Sequence, residues 1–310
     1  MPKIITITFS PCIDKSTSIP ALVPEKKLKC SAPKLEPGGG GINVARAIKK
    51  LGGEAIAIYP TGGYTGKHFN ALLANEGVPA IIIESKNETR ENIVVLEEST
   101  NQQYRFGMPG TELFEQEWRQ CLDKIEQISD VEFIVASGSL PPGVPLDIYA
   151  LLAVITKKKN AKLIVDTSGD ALKHAAKEGV YLLKPNLGEL SSLMDMEKIN
   201  ETKIEEVAQI AIQKGFCELL VISMGEKGAM LVTKNEIHKV IPPSVKRKST
   251  VGAGDSMVAG IVLALSQART LKTTLQYGVA CGTAATMNKG TELCRKEDAE
   301  ELFELINKHS

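Results

Sequence analysis

Apolar positions along this chain recur with two alternating periods. From about residue 37 onward, short runs rich in β-branched residues alternate with longer stretches in which apolar residues return every three or four positions. That is the pattern of a parallel sheet covered by helices on both faces. Strands are predicted at Ile4–Thr8, Ala55–Tyr59, Phe133–Ala136, Leu163–Asp166, Tyr181–Lys184 and Leu219–Ser223. Helices are predicted at Ile42–Leu51, His68–Asn75, Gln116–Ile128, Ile148–Lys158, Glu205–Lys214, Ala253–Leu265, Leu271–Asn288 and Lys296–Asn307. The first of these places Val44, Ile48 and Leu51 on one face and stops at Gly52-Gly53, a C-terminal cap.

Two regions break the rhythm, residues 11–36 and 88–109. In the second, Asn92–Glu97 and Gln103–Gly107 flank the turn-forming Ser99-Thr100-Asn101, and neither region has a helical period. Extended segments without crossover helices predict a small antiparallel sheet, either a lid over a site or a pair of edge hairpins. The expected division is an α/β domain of residues 1–10, 37–87 and 110–310, with a β-sheet lid of 11–36 and 88–109.

The chain has 310 residues, enough for one large α/β domain with a smaller appendage. Its 37 Lys and Arg balance its 37 Asp and Glu, so no global field draws it to nucleic acid or to anionic lipid. Any anionic ligand is held by local groups. Six scattered cysteines without a CxxC pair read as free thiols in a reducing cytosol. The start Met-Pro-Lys-Ile-Ile-Thr-Ile alternates like a strand rather than a signal peptide. No stretch approaches the roughly 18 uninterrupted apolar residues of a membrane helix. A soluble, cytoplasmic protein with no membrane or nucleic-acid partner is expected.

Candidate chemistry collects at predicted strand ends, where open α/β sheets bind ligands. Ser249-Thr-Val-Gly-Ala-Gly-Asp-Ser256 precedes an apolar helix. Its glycines let the amides of Gly252, Ala253 and Gly254 converge on an anion, with Asp255 in the first helical turn. A cradle of amides beside a carboxylate suits phosphoryl transfer to a hydroxyl; alternatively, Asp255 only complements the helix dipole. Glu36-Pro-Gly-Gly-Gly-Gly-Ile-Asn-Val-Ala-Arg46 sets four glycines before a helix, admitting a ligand close to backbone, with Asn43 able to bond sugar hydroxyls. The same run also reads as a flexible turn. Asp14 follows the first strand and suits either substrate hydroxyls or a turn.

Arg90 and Lys27 fall in the expected lid, where they would clamp an anionic substrate or simply be solvated. Lys184-Pro-Asn-Leu-Gly-Glu189 lies between a strand and a helix, so Asn186 and Glu189 suit a hydrated magnesium ion or a helix cap. Ser223-Met-Gly-Glu-Lys-Gly228 lines a nucleotide pocket or forms an ordinary turn. Within Gly138–Gly143, Ser139 reaches a substrate phosphate or bonds within its own turn.

Pro37–Arg46, Asn186-Leu-Gly-Glu189 and Thr250-Val-Gly-Ala-Gly-Asp255, in this order and spacing, resemble the signatures of the ribokinase-like PfkB carbohydrate kinases, from the first strand to about Cys294. Within that family, Gly38–Gly41, Glu25-Lys-Lys-Leu-Lys29, Tyr104-Arg-Phe106 with Met108-Pro-Gly110, and Gly138–Gly143 are most similar to members acting on fructose 6-phosphate. Members acting on fructose 1-phosphate or tagatose 6-phosphate usually carry lysine in the glycine run, where this chain has Gly39.

The resemblance implies a three-layer sandwich with a mostly parallel central sheet and a small β-sheet lid. It implies that Asp14, Gly39, Gly40, Asn43, Arg90 and Ser139 hold the sugar phosphate, with Lys27 added from the lid of the same or a partner subunit. Lys184, Asn186, Ser223, Gly225 and Gly228 would meet ATP, and Glu189 and Asp166 would organise Mg2+ through waters. Asp255 matches the family's catalytic base. A monovalent cation site for K+ is implied near Ser249, Val251, Ala285, Asn288 and Gly290, mostly through backbone carbonyls. One departure stands beside it: Glu292 occupies a position where similar members carry arginine. Homodimerisation through the two lids is a further implication.

The expected reaction is glycolytic: ATP-dependent phosphorylation of the C1 hydroxyl of fructose 6-phosphate, with Asp255 as general base and the Gly252–Asp255 amides as anion hole. The rivals are a 1-phosphofructokinase or tagatose-6-phosphate kinase and, from another class, a non-catalytic sugar-phosphate sensor. A nucleoside kinase would leave Lys27 and Arg90 without a purpose.

Overall fold

The computed structural model describes residues 3–308. Residues 1, 2, 309 and 310, which the expected main domain includes, lie outside the described residues. Strand β1 (Lys3–Ile7) opens the main sheet, β2 (Cys12–Ile19) and β3 (Lys34–Gly38) leave it, and helix α1 (Gly40–Lys50) returns. Then β4 (Ile56–Thr61), α2 (Gly63–Asn75) and β5 (Ala80–Glu84) form a βαβ unit, after which β6 (Arg90–Glu97) and β7 (Gln102–Phe106) depart again. Helices and strands next alternate: α3 (Glu115–Gln127), β8 (Val131–Ser137), α4 (Ile148–Lys158), β9 (Lys162–Asp166), α5 (Gly169–Glu178) and β10 (Val180–Leu183). The chain continues with α6 (Leu187–Leu193), α7 (Ile204–Gln213), β11 (Cys217–Ser223), the hairpin β12 (Ala229–Val232) and β13 (Ile237–Val240), then α8 (Ala253–Ser266), α9 (Leu271–Thr286) and α10 (Lys296–Lys308).

The main sheet has nine strands in the order β13-β12-β11-β10-β9-β8-β1-β4-β5. It is parallel from β5 to β11, and β12 alone is reversed, pairing antiparallel with both β11 and β13. Because side chains alternate across a strand, each central strand feeds two cores. Phe133, Val135, Ile164, Leu182 and Val221 pack with α1, α2, α8, α9 and α10 on one face. Ile134, Val165, Leu183, Leu220 and Ile222 pack with α3 to α7 on the other. This is the expected three-layer sandwich. Strands buried on both faces read as continuous apolar runs, which is why most of them were visible in the sequence. Among the described residues no helix is long and apolar enough to cross a membrane.

The second sheet has the order β3-β2-β6-β7. It differs from the antiparallel expectation: β2 pairs with β6 in parallel, Asp14 opposite Asn92, whereas the outer pairs are antiparallel. A parallel pair needs a crossover, and here the α1-β4-α2-β5 segment of the main domain supplies it. Hairpin patterns inside each insertion cannot reveal a pairing made between insertions.

Candidate active site

The strand order reverses at β1 and β8. β1 leads through α1 to β4 on one side, and β8 is followed by β9 to β11 on the other. A crevice opens beyond the carboxyl ends of strands at such a point, and the N-terminus of α1 is seated in it. Gly39 adopts φ of 111°. A Cβ at Gly40 would stand 2.6 Å from the Gly138 nitrogen, and one at Gly41 would stand 2.6 Å from the Ile7 carbonyl oxygen. The helix is anchored where Ile42 N donates to Thr8 Oγ1 (3.0 Å). The glycine run thus serves first to press a helix against two strand ends, a packing demand invisible in a one-dimensional pattern.

Helix α8 enters the same crevice. Its N-cap, Gly252, is left-handed with φ of 73°, and α8 begins at Ala253, directing the amides of its first turn forward. Asp255 is half-buried in that turn. Its Oδ2 accepts from Asn43 Nδ2 at 2.9 Å. Burial, reinforced by the Asp166 charge, pushes its carboxyl up to about 7, against the opposing effects of Asn43 and Lys184. Lys184 and Asp166 form an enclosed pair, Nζ to Oδ1 3.1 Å. Burial pulls the Lys184 ammonium down, but Asp166, Glu189 and Asp255 together outweigh it and hold it above its ordinary value. A Cβ at Gly254 would lie 3.7 Å from Lys184 Nζ. Lys184 therefore stands behind the α8 amides, adding positive charge to the cradle.

In the small sheet, Asp14 lies over Gly38, where a Cβ would come within 2.8 Å of its Cγ. Its Oδ1 accepts from Asn92 Nδ2 at 3.0 Å, while burial raises its carboxyl above the usual range. Arg90 donates to the carbonyls of Met108 (2.8 Å) and Ser10 (3.2 Å), and its buried Nε has no partner among the described residues. Ser139 is exposed after β8. Lys27 is also exposed, in the loop between β2 and β3.

At the other end, Asn186 and Glu189 form a reciprocal cap of α6: Glu189 N donates to Asn186 Oδ1 (2.9 Å) and Asn186 N to Glu189 Oε2 (2.8 Å). Burial raises the Glu189 carboxyl despite those bonds. Asn186 also bridges to Ser223 across the ends of β10 and β11. Gly225 (φ 63°) and Gly228 (φ 84°) shape the following turn, and Gly228 packs against Val240 of β13.

The profile of the pfkB family carbohydrate kinases matches residues 5–298. The chain belongs to that family. It is similar to the ATP-dependent 6-phosphofructokinase isozyme 2 of Escherichia coli K12, with 44% identity over 309 residues covering 99% of this chain and 100% of the relative. Crystal structures of the Escherichia coli phosphofructokinase-2 superpose on it: the potassium complex with a TM-score of 0.95 at 44% identity, and the fructose-6-phosphate complex with 0.94 at 42%. Each alignment covers 99% of this chain and 100% of the other. The ribokinase of Thermotoga maritima, 19% identical over 98% of this chain and 100% of its own, shares the fold with a TM-score of 0.76. The fold is the ribokinase-like sandwich.

In this PfkB chain two further segments meet beside α8. Ser249 Oγ donates to the Gly290 carbonyl (2.7 Å), and Val251 N donates back to Ser249 Oγ (3.1 Å). Asn288 N reaches the Ala285 carbonyl (3.2 Å), while the Asn288 side chain turns to the Leu293 carbonyl (2.8 Å). Glu292 pairs with Arg295 (2.8 Å), which holds its carboxyl below the ordinary value. The negative charge at this position is thus answered three residues later. Strand β7 of the small sheet reaches the same place, where Arg105 donates to Thr250 Oγ1 at 2.8 Å.

Sequence reasoning assigned no role to Asn92, Arg105 or Arg46. Arg46 was in view as the last residue of the glycine-run motif, but nothing in a sequence indicates that a charged helix residue is only 2% exposed.

Proposed function

We infer that this chain transfers the γ-phosphoryl group of ATP to the C1 hydroxyl of fructose 6-phosphate, giving fructose 1,6-bisphosphate. The observation that carries the reading is Asp255 itself. It sits in the first turn of α8, at the crevice where the strand order reverses, with Oδ2 held by Asn43 and Oδ1 reached by no donor among the described residues. A hydroxyl placed there gives its proton to Oδ1. The amides of Gly252, Ala253, Gly254 and Asp255, with Lys184 behind them, neutralise charge on the transferring phosphoryl group. Positioning and charge stabilisation supply most of such a rate, and a general base typically contributes about 10²–10⁴-fold. The Escherichia coli relative's name and its fructose-6-phosphate complex support this substrate.

Asp14, Gly39, Gly40, Asn43, Arg90 and Ser139 are proposed to receive the sugar phosphate, with Lys27 joining from the lid of this or a second subunit. Asn186, Ser223, Gly225 and Gly228 are proposed to line the ATP end. Asp166 and Glu189 suit a magnesium ion held through waters, because one oxygen of each, Asp166 Oδ2 and Glu189 Oε1, has no hydrogen-bond partner among the described residues. Bound there with ATP, the metal would neutralise phosphate charge. The approach of Ser249 and Val251 to Ala285, Asn288 and Gly290 supports a potassium site of backbone carbonyls. Exposed Leu22, Val23, Phe106 and Met108 on the lid side support a homodimer formed through the lids. Six free thiols, five of them buried, suit a cytoplasmic enzyme.

The test is ADP release from the purified chain with MgATP, potassium and, in parallel, fructose 6-phosphate, fructose 1-phosphate and tagatose 6-phosphate. Preferential turnover of fructose 6-phosphate is expected. Preference for another sugar replaces the substrate, and tight sugar-phosphate binding with no ADP would make the chain a sensor.

A further inference from the structure

Arg46 heads the largest fully buried side chains of the protein. Its guanidinium forks onto Glu76 at the end of α2 (Nε to Oε2 2.8 Å, Nη2 to Oε1 2.6 Å). It also donates to the Pro37 carbonyl (2.6 Å), Glu36 Oε1 (3.3 Å) and Asn43 Oδ1 (3.4 Å). An arginine buried this deeply is costly unless its donors are used, and here every nitrogen has an acceptor. One of those acceptors is the residue that holds Asp255.

A carboxamide has one accepting and one donating end, and its neighbours decide which way it faces. Arg46 offers donors only, so the oxygen of Asn43 faces Arg46 and its nitrogen faces Asp255. Turned over, Asn43 would set its oxygen against the ionised carboxylate. On the far side, the other oxygen of Glu36 accepts from Thr291 Oγ1 at 2.6 Å, one residue beyond Gly290. A continuous chain of buried polar contacts therefore runs Thr291–Glu36–Arg46–Asn43–Asp255.

We propose that Arg46 is a positioning residue for phosphoryl transfer: it fixes the Asn43 carboxamide toward Asp255 and, through Glu36 and Thr291, ties that pair to the loop around Gly290. This deepens the role given to Asp255 above and rests on it. Lysine at position 46 would keep the charge but, without the planar fork, could not serve Glu76, Pro37 and Asn43 at once.

The experiment is a double-mutant cycle on turnover. The kcat and the KM values for ATP and fructose 6-phosphate are measured for the unaltered enzyme, Arg46→Lys, Asn43→Ala and the combination, with thermal unfolding recorded for each. Arg46→Lys is expected to lower kcat by about tenfold, with the KM for ATP changed less than about twofold, and to cost less than about twofold once Asn43 is alanine. Equal losses with and without Asn43, or an unchanged kcat with a lower Tm, would overturn the proposal and leave Arg46 a packing residue. If Arg46→Lys does not fold, Thr291→Val decides in the same cycle, because it leaves Arg46 in place. A kcat loss that disappears beside Asn43→Ala supports the chain of contacts, and one that persists, or no loss at all, overturns it. Failure of the unaltered enzyme to turn over fructose 6-phosphate would instead reject the underlying function.

Discussion

Asn43 Nδ2 and Asp255 Oδ2 meet at 2.9 Å across 212 positions of sequence, joining the first turns of α1 and α8. The bond favours the ionised carboxylate, whereas burial and Asp166 favour the protonated form and prevail, at about 7. A base is active when ionised, so kcat should fall as pH drops through about 7. Asn43→Ala removes an effect that lowers the value, so its acid limb should lie at higher pH. A pH–rate profile of both proteins checks this, and coincident limbs would contradict it.

Asp255→Asn should fold and lose about 10²–10⁴-fold in turnover. It should also gain stability on the alkaline side. The folded-state value of Asp255 is raised, so below the ordinary carboxylate range both states hold the proton and the group is neutral to folding. As pH rises toward 7, the folded protein retains a proton that the unfolded chain has released, and above 7 burying the charge opposes folding. The Tm difference between variant and parent should therefore widen from about pH 4 to 7 and then level off. A constant difference across that range would count against a raised value for Asp255.

Arg90 stands on three supports, Asn92 and the carbonyls of Ser10 and Met108, with its Nε left over. Its removal should raise the sugar-phosphate KM by about 10–150-fold, the size of one charge-assisted bond, while the KM for ATP stays near its parent value. Lys27 is exposed and has no partner among the described residues, so Lys27→Met should act in the same sense without lowering Tm. Steady-state kinetics with each substrate varied in turn discriminate, and equal effects on both KM values would exclude a clamp.

Gly40→Ala should destabilise the protein even though its φ is ordinary for alanine, because the new methyl meets backbone at Gly138. Overpacking of this kind costs about 1–3 kcal/mol, readable in the denaturant midpoint. Gly225→Ala has nothing within reach of the added atom, and only its φ of 63° opposes the change. Its cost should be the smaller.

How much was legible depended on whether a feature is local. Strands such as Phe133–Ala136 and Leu219–Ser223 carry their own apolar runs, and α1 ends where Gly52 caps it. Helix α5 was not foreseen, because Gly169–Glu178 buries mostly alanines with Leu172 alone among larger residues, giving periodicity little to register. The outer strands β5, β12 and β13 are short and partly exposed or arranged as a hairpin, so neither an alternation nor a long apolar run announced them. The site was legible as spacing: a glycine run, Asn186 to Glu189, and Gly252 to Asp255. Its pairings were not, since Asn43 with Asp255, Lys184 with Asp166 and Asn92 with Asp14 are all made between distant segments.

The small sheet joins the sandwich through four short stretches, Thr8 to Pro11, Gly39, Ser85 to Thr89, and Gly107 to Phe114. One of these is a single residue. Tethers so brief keep the small sheet close to the sandwich, and the pairing of β2 with β6 joins the two insertions into one unit. Asp14, Gly38 and Arg90 are therefore held as one piece by the β3-β2-β6 pairing, with Arg105 of β7 against Thr250. If Asp14 and Arg90 receive the sugar phosphate as proposed, their contacts are set by one paired unit whose shortest tether to the sandwich is Gly39.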